Sequence, residues 1–311
     1  MKAALFPGQG SQAVGMGADL YAAHALVRDR FAQASDILGF SLSDVCFNGP
    51  ENELVQTSRA QPALFVHSLV LWELWGASRP RFDFAAGHSL GEFSALTAAG
   101  ALDFESGLKL VQARATAMQH ACDRRPGTMA ALLQMPPERL DDLLSEGLKA
   151  GVVVTANFNS ESQIVVSGEH AAVDRVVQCA ADFGARRATP LKVGGAFHSP
   201  LMEPARTELK LALDATKFRR PVCPVIMNVS AQPESDPDEI RRKLGAQIVS
   251  PVRWWQTLRF LNEHKLNWAV EVGSGQVLKG LAKRVLPDTE VVGLGSQADL
   301  ERLTAPTGVV S

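Results

Sequence analysis

The pentapeptide Gly87-His88-Ser89-Leu90-Gly91 constrains this chain more than any other feature. It is a G-x-S-x-G run, and the flanks decide what such a run means. Upstream, Phe82, Phe84 and Ala86 alternate with other residues and lead into Gly87, as in a strand that ends there. Downstream, residues 90–99 read as a short helix stopped by Gly100 at its C′ position. Strand, tight turn and helix in this order lift the Ser89 hydroxyl to the carboxyl end of the strand. The two glycines permit the sharp backbone and a close strand–helix approach. The helix start leaves N–H groups unpaired and carries partial positive charge, so the Leu90 N–H can stabilise an oxyanion. A turn that merely contains glycines is the competing reading. The agreement of strand, turn and helix favours a nucleophile.

Around this unit, short apolar runs alternate with longer helical patterns, which predicts an α/β fold with a mainly parallel sheet. Residues 3–6 and 268–272 read as strands, the second followed by the turn Gly273-Ser274-Gly275. Asp103 can cap a helix running to about His120. The middle of the chain differs. Residues 129–135 read as a strand, and Pro136 and Pro137 open a helix to about residue 148. Residues 152–156 and 164–167 are strands about a polar turn at 159–162, and residues 171–183 carry Val173, Val176, Val177 and Ala180 at helical spacing. Leu191 and Val193 close the set with a last strand. The order is β-α-β-β-α-β, the ferredoxin-like arrangement. The expected organisation is a catalytic body of residues 1–125 and 194–311 with an inserted small domain at 126–193, and a ligand in the cleft between them. The tail, 304–311, lacks periodicity and is expected to fray.

A length of 311 residues suits one large domain with an insertion. The formal net charge of −2 points to neither nucleic acid nor an anionic membrane as a partner. Local basic pairs, Arg186 with Arg187 and Arg219 with Arg220, read as solvated surface. Cys46, Cys122, Cys179 and Cys223 form no CxxC or Cys/His spacing, which argues against a zinc site and a disulfide framework, so no metal is expected. No apolar run is long enough to span a bilayer. The start, MKAALFPGQG, is too short for a signal peptide. Cytoplasmic residence is the expectation.

Three further segments carry candidates. Phe6-Pro7-Gly8-Gln9-Gly10-Ser11-Gln12 follows the first strand, but Ala13 breaks a dinucleotide-binding G-x-G-x-x-G. The better reading is a second oxyanion donor, the Gln9 N–H, facing Ser89. His198 lies in a loop after a strand, with Ser199 placed to cap and Pro200 to open the next helix. A histidine there feels positive potential, and the neutral imidazole it favours is what a general base needs. From position alone, an exposed or hydrogen-bonded loop histidine is the favoured reading. Gly107, Val111, Arg114 and Met118 step by four, three and four and share one helix stripe. An arginine among apolar neighbours needs an anion, either a ligand carboxylate or an internal acid, unless it reaches the rim. No triad carboxylate stands out, since Glu138, Asp141, Asp142 and Asp174 read as solvated helix faces.

Together these segments resemble the malonyl-CoA:acyl-carrier-protein transacylases of fatty-acid synthesis. They are also similar to the free-standing acyltransferases that serve modular polyketide synthases in trans. The resemblance runs from FPGQGSQ at 6–12, through GHSLGE at 87–92, Arg114 to Gln119, and NFNSESQIVVSG at 157–168. It continues through GAFHSPLM before residue 203, Gln247 to Trp254, and EVGSGQVLKGL at 271–281. It implies an α/β-hydrolase-like core and malonyl transfer from malonyl-CoA to an acyl carrier protein. It implies Ser89 as the acylated nucleophile, His198 as its base, and the Gln9 and Leu90 N–H groups as the oxyanion hole. A backbone carbonyl at Gln247 would orient His198 and replace the missing acid. Arg114, with Met118 beside it, would bind the malonyl carboxylate, and the Phe197 ring would crowd an α-methyl group. No cofactor is implied, malonyl-CoA being a substrate, and the chain is expected to act as a monomer. The family often has Gly and Leu where this chain has Ala115 and Ala117, often Ser where it has Phe197, and a single glycine at Gly194-Gly195. An acyl hydrolase using the same serine and histidine would not need Arg114. A non-catalytic adaptor for the carrier would need neither Ser89 nor His198.

Overall fold

The computed structural model describes residues 1–305. Its centre is a six-stranded sheet of β1 (Lys2–Phe6), β2 (Phe84–Gly87), β7 (Val225–Met227), β8 (Gln232–Glu234), β9 (Trp268–Val272) and β10 (Glu290–Leu294), in the order β10-β9-β1-β2-β7-β8. All neighbours are parallel except β8, which returns antiparallel to β7. The central strand explains why these runs are apolar without strict alternation. Ala4 and Phe6 enter one core, with the helices Thr57–Trp75 and Phe104–Arg124. Ala3 and Leu5 enter another, with the helix Trp254–Glu263. Side chains alternate across a strand, and here both faces are covered, so both must be apolar. Each fully buried Leu or Phe contributes about 1.5–3 kcal/mol.

The segment between carries a second, antiparallel sheet of β3 (Thr128–Leu133), β4 (Val153–Ser160), β5 (Gln163–Gly168) and β6 (Arg187–Pro190), in the order β4-β5-β3-β6. Ala130, Leu132, Ile164 and Val166 pack under the helices Leu140–Leu148 and His170–Cys179. The opposite face, with Met129, Ala131 and Val165, joins the core of the body. The small sheet is stitched to a loop of the body at Val252. Its N–H donates to the Ala156 carbonyl at 2.8 Å, and its carbonyl accepts from the Phe158 N–H at 2.9 Å.

Several expected boundaries move. The last small-sheet strand is Arg187–Pro190, not the stretch with Leu191 and Val193. It is an edge strand paired only with β3, so it lacks the apolar pattern that marks a buried strand, while Leu191 and Val193 face the cleft. β4 extends to Ser160 past a register shift between Thr155 and Asn157, which leaves little of the turn expected at 159–162. Pro137–Arg139 is a 3-10 turn ahead of the helix Leu140–Leu148. The helix expected over 171–183 ends at Cys179, and the one after Asp103 runs on to Arg124. Thr304 ends the helix Gln297–Thr304, and the rest of the expected fraying tail, from 306, lies outside the described residues. Among the described residues no helix is long and apolar enough to cross a membrane.

Candidate active site

Ser89 stands between β2 and the helix Gly91–Ala98 with φ 52°, a left-handed backbone that costs a non-glycine residue about 1–3 kcal/mol. The flanking glycines are required by space. A Cβ on Gly87 would lie 1.9 Å from the Gly91 carbonyl carbon, and one on Gly91 would lie 2.0 Å from the Phe6 carbonyl oxygen. The turn brings Ser89 Oγ to 2.8 Å from His198 Nε2.

The imidazole is held from behind. His198 Nδ1 lies 3.0 Å from the Gln247 carbonyl and 3.1 Å from that of Ser250, at the C-terminal end of the helix Pro237–Gln247. Carbonyls only accept, so Nδ1 carries the proton and Nε2 presents a lone pair to the Ser89 hydroxyl. Burial first, and then the Arg114 charge, push the His198 pKa down to about 3. The neutral form expected from the sequence is therefore favoured, but by desolvation and Arg114. Ser199 does cap the turn Pro200–Met202, accepting from the Leu201 N–H. His88 points away, toward Asn159 Oδ1 at 2.8 Å and the Trp254 ring.

Arg114 is only 1% exposed, so it is no rim residue. Its guanidinium donates to Gln61 Oε1 at 2.7 Å, to Ser89 Oγ at 3.0 Å and to Gln247 Oε1 at 3.0 Å. All three acceptors are neutral, and among the described residues no carboxylate lies within ion-pair distance. Desolvation lowers its pKa only to about 10, so the group is cationic at neutral pH. The geometry is thus a buried cation beside the hydroxyl without a paired anion. A cavity of about 260 Å³ opens at Ser89 and His198, lined also by Gln9, Met118, Phe197 and the body-facing Met129, Ala131 and Val165. Met118 Sδ takes the Gln61 amide at 3.4 Å. No hydrogen bond from the Gln9 or Leu90 backbone N–H to another described group is present.

Comparisons with known proteins show the family. Residues 4–293 match the family model for the acyl transferase domain. The chain is 41% identical to the malonyl CoA-acyl carrier protein transacylase of Synechocystis sp., over 96% of this chain and 98% of that protein. It is 39% identical to the enzyme of the same name from Haemophilus influenzae, over 95% and 96%. The chain belongs to the malonyl CoA-acyl carrier protein transacylase family. Among solved structures, an acyl carrier protein S-malonyltransferase from Vibrio cholerae superposes with a TM-score of 0.92 at 40% identity, covering 97% of this chain and 99% of that one. A malonyl-transacylase in complex with a type II PKS acyl-carrier protein gives 0.93 at 38% identity, covering 97% and 98%.

The transacylase fold brings Ser89, His198, Gln9, Met118 and Phe197 to one cavity, with Arg114 and Gln247 beneath Ser89. It also adds residues that sequence reasoning missed. Gln61 and the side chain of Gln247 fix the guanidinium, and the Ser250 carbonyl shares His198. Asn228 Oδ1 accepts from the Ser89 N–H at 2.7 Å, and the buried Glu92 lies one turn below. A carboxylate inside the apolar run of residues 90–99 was the one available signal for Glu92. Asn228 had none.

Proposed function

We propose that this transacylase moves a malonyl group from malonyl-CoA to the phosphopantetheine thiol of an acyl carrier protein through an ester on Ser89. His198 Nε2 takes the Ser89 proton as Oγ attacks the thioester carbonyl. The tetrahedral oxyanion is met by the Gln9 and Leu90 N–H groups. Collapse expels the coenzyme thiolate, which regains the proton from His198, leaving malonyl-Ser89. The carrier thiol then gives its proton to His198, attacks the ester and returns Ser89 to its free form. The helix-end carbonyls at Gln247 and Ser250 keep the proton on Nδ1 throughout, as a triad acid would.

The observation that carries this reading is Arg114 NH2 at 3.0 Å from Ser89 Oγ, with no paired anion. In a malonyl ester one methylene separates the carboxylate from the ester carbon, so the carboxylate must sit close to Oγ, where the guanidinium is. An acyl hydrolase would have no use for that cation. Phe197 and Met118 close the cavity around a short acyl group. Beside it, sharing Gln163, lies a cavity of about 580 Å³ with Arg186, Arg187 and Arg284 and no lining carboxylate among the described residues. That chemistry suits the phosphates of coenzyme A and an acidic carrier.

In this reading residues 1–125 and 194–311 form the catalytic body, and 126–193 form the small domain that roofs the acyl cavity. Every reacting group comes from one chain, so a monomer suffices, and no step calls for a cofactor. Use of a coenzyme A thioester supports a cytoplasmic enzyme. The test is intact-protein mass spectrometry after mixing with malonyl-CoA alone. One added malonyl group is expected, absent in Ser89→Ala. An adduct that persists in that variant removes Ser89 from the mechanism.

A further inference from the structure

The strained backbone of Ser89 is tied on both sides by remote side chains. Its N–H donates to Asn228 Oδ1 at 2.7 Å. Its carbonyl accepts from Gln247 Nε2 at 2.9 Å, and from the Glu92 N–H at 3.1 Å. The two side chains come from different elements, Asn228 following β7 and Gln247 ending a helix. The two residues converge on one atom, Asn228 through its backbone and Gln247 through its side chain. Glu92 Oε2 accepts from the Asn228 N–H at 3.0 Å and from Gln247 Nε2 at 3.0 Å, while Oε1 has no partner. Glu92 is fully buried.

The direction of these bonds matters. A carboxylate oxygen without a proton only accepts, so Gln247 must present its NH2 to Glu92. That turns Gln247 Oε1 toward Arg114, which it meets at 3.0 Å. The backbone carbonyl of the same glutamine holds His198 Nδ1. One residue therefore touches the nucleophile, the base and the acyl-binding cation, and Glu92 fixes the orientation of its side chain.

We propose that Glu92 is a positioning residue for acyl transfer, anchoring through Oε2 the Asn228 backbone and the Gln247 side chain, the two residues that hold Ser89 in its left-handed turn. The proposal rests on Ser89 being the nucleophile. The anchor works by reach rather than by charge. Burial raises the Glu92 carboxyl to about 7, yet a proton on the unpartnered Oε1 would leave Oε2 an acceptor. An amide oxygen at the same reach can do the same work, with its NH2 in the place of Oε1. An aspartate keeps the charge but withdraws it by one methylene.

The experiment is single-turnover acylation by malonyl-CoA, followed by intact mass, in wild type, Glu92→Gln and Glu92→Asp. Ser89→Ala is the blank, and melting curves are recorded for each protein. The Gln variant is expected within about threefold of wild type at saturating malonyl-CoA, and the Asp variant about 10- to 10²-fold slower. Half-saturating concentrations should move less than the rate does, because Glu92 reaches Arg114 only through Gln247. An Asp variant faster than the Gln variant would make charge the operative property and overturn the proposal. So would wild-type rates in both, or a loss confined to the half-saturating concentration. Should the Asp variant not fold, a loss beyond about tenfold in a normally melting Gln variant overturns it alone. An adduct retained in Ser89→Ala overturns the nucleophile reading and the anchor with it, whereas the order of the two Glu92 variants overturns only the anchor.

Discussion

The floor and the mouth of the cleft both present arginine, in opposite ways. Arg114 on the floor is buried and held by Gln61, Ser89 and Gln247. Arg186, Arg187 and Arg284 at the mouth are exposed and have no ion-pair partner among the described residues. A buried guanidinium acts over hydrogen-bond distance and reads shape, and salt hardly reaches it. An exposed cluster acts over a Debye length of about 8 Å at physiological ionic strength and is screened by added salt. On the proposed reading, choice of acyl group and attraction of its carrier are divided between two sets of the same side chain.

The largest expected effect lies on the floor. His198→Ala should lose ~10²–10⁴ in transfer rate at any salt concentration while staying folded, as melting curves can check. A near-normal rate would take the base away from His198.

The next effect sharpens what the floor reads. Arg114→Ala should lose malonyl transfer by about 2–5 kcal/mol, more than tenfold in kcat/KM, and keep or gain acetyl transfer. Acetyl has no carboxylate and never used the guanidinium. Arg114→Lys should recover only part of the loss, because the charge returns without the planar fork. Equal losses on both thioesters in a well-folded variant would make Arg114 structural and erase the contrast between floor and mouth.

At the mouth, Arg187→Ala and Arg284→Ala should each raise KM for the carrier a few-fold at low salt, leaving kcat and the malonyl preference alone. The penalty should vanish near ~1 M salt, where the Debye length falls to about 3 Å. A salt-independent loss would mean the mouth reads shape as well.

The smallest effect is in pH. The His198 pKa is depressed to about 3, so the base stays neutral as pH falls through its usual value of 6.5. Acylation should hold level from pH 8 down to about 5, measured by the rate of malonyl adduct formation. A limb near 7 would instead report Glu92, whose carboxyl burial raises to about 7, and would show that its charge matters, against an anchor that works by reach. The same shift bears on stability. Between 6.5 and 3 the unfolded chain binds a proton that the native imidazole refuses, so stability drains away as pH falls through that window.

How much of this was legible depended on the range of the interaction. β1, β2 and β9 show in the sequence because both of their faces are buried, and the helices around them show their caps at Asp103 and Gly100. The edge strand Arg187–Pro190 does not, since pairing on one side asks little of its side chains. Ser89 and His198 sit in local patterns, a glycine-bounded turn and a capped loop. Glu92, Asn228 and Gln61 answer to partners 155, 139 and 53 residues away, and spacing along the chain holds no trace of such pairs.

The seam at Val252 matters to anyone recombining this chain with a relative. Its two bonds to Ala156 and Phe158 fall two residues beyond Ser250, whose carbonyl steadies the imidazole. The inserted sheet is for that reason not a portable cassette. Crossovers near 126 and 193 would lay a foreign edge against a resident Val252, and any misfit there would be delivered straight to the base. A chimera that exchanges 126–193 and 247–253 together inherits the join already matched.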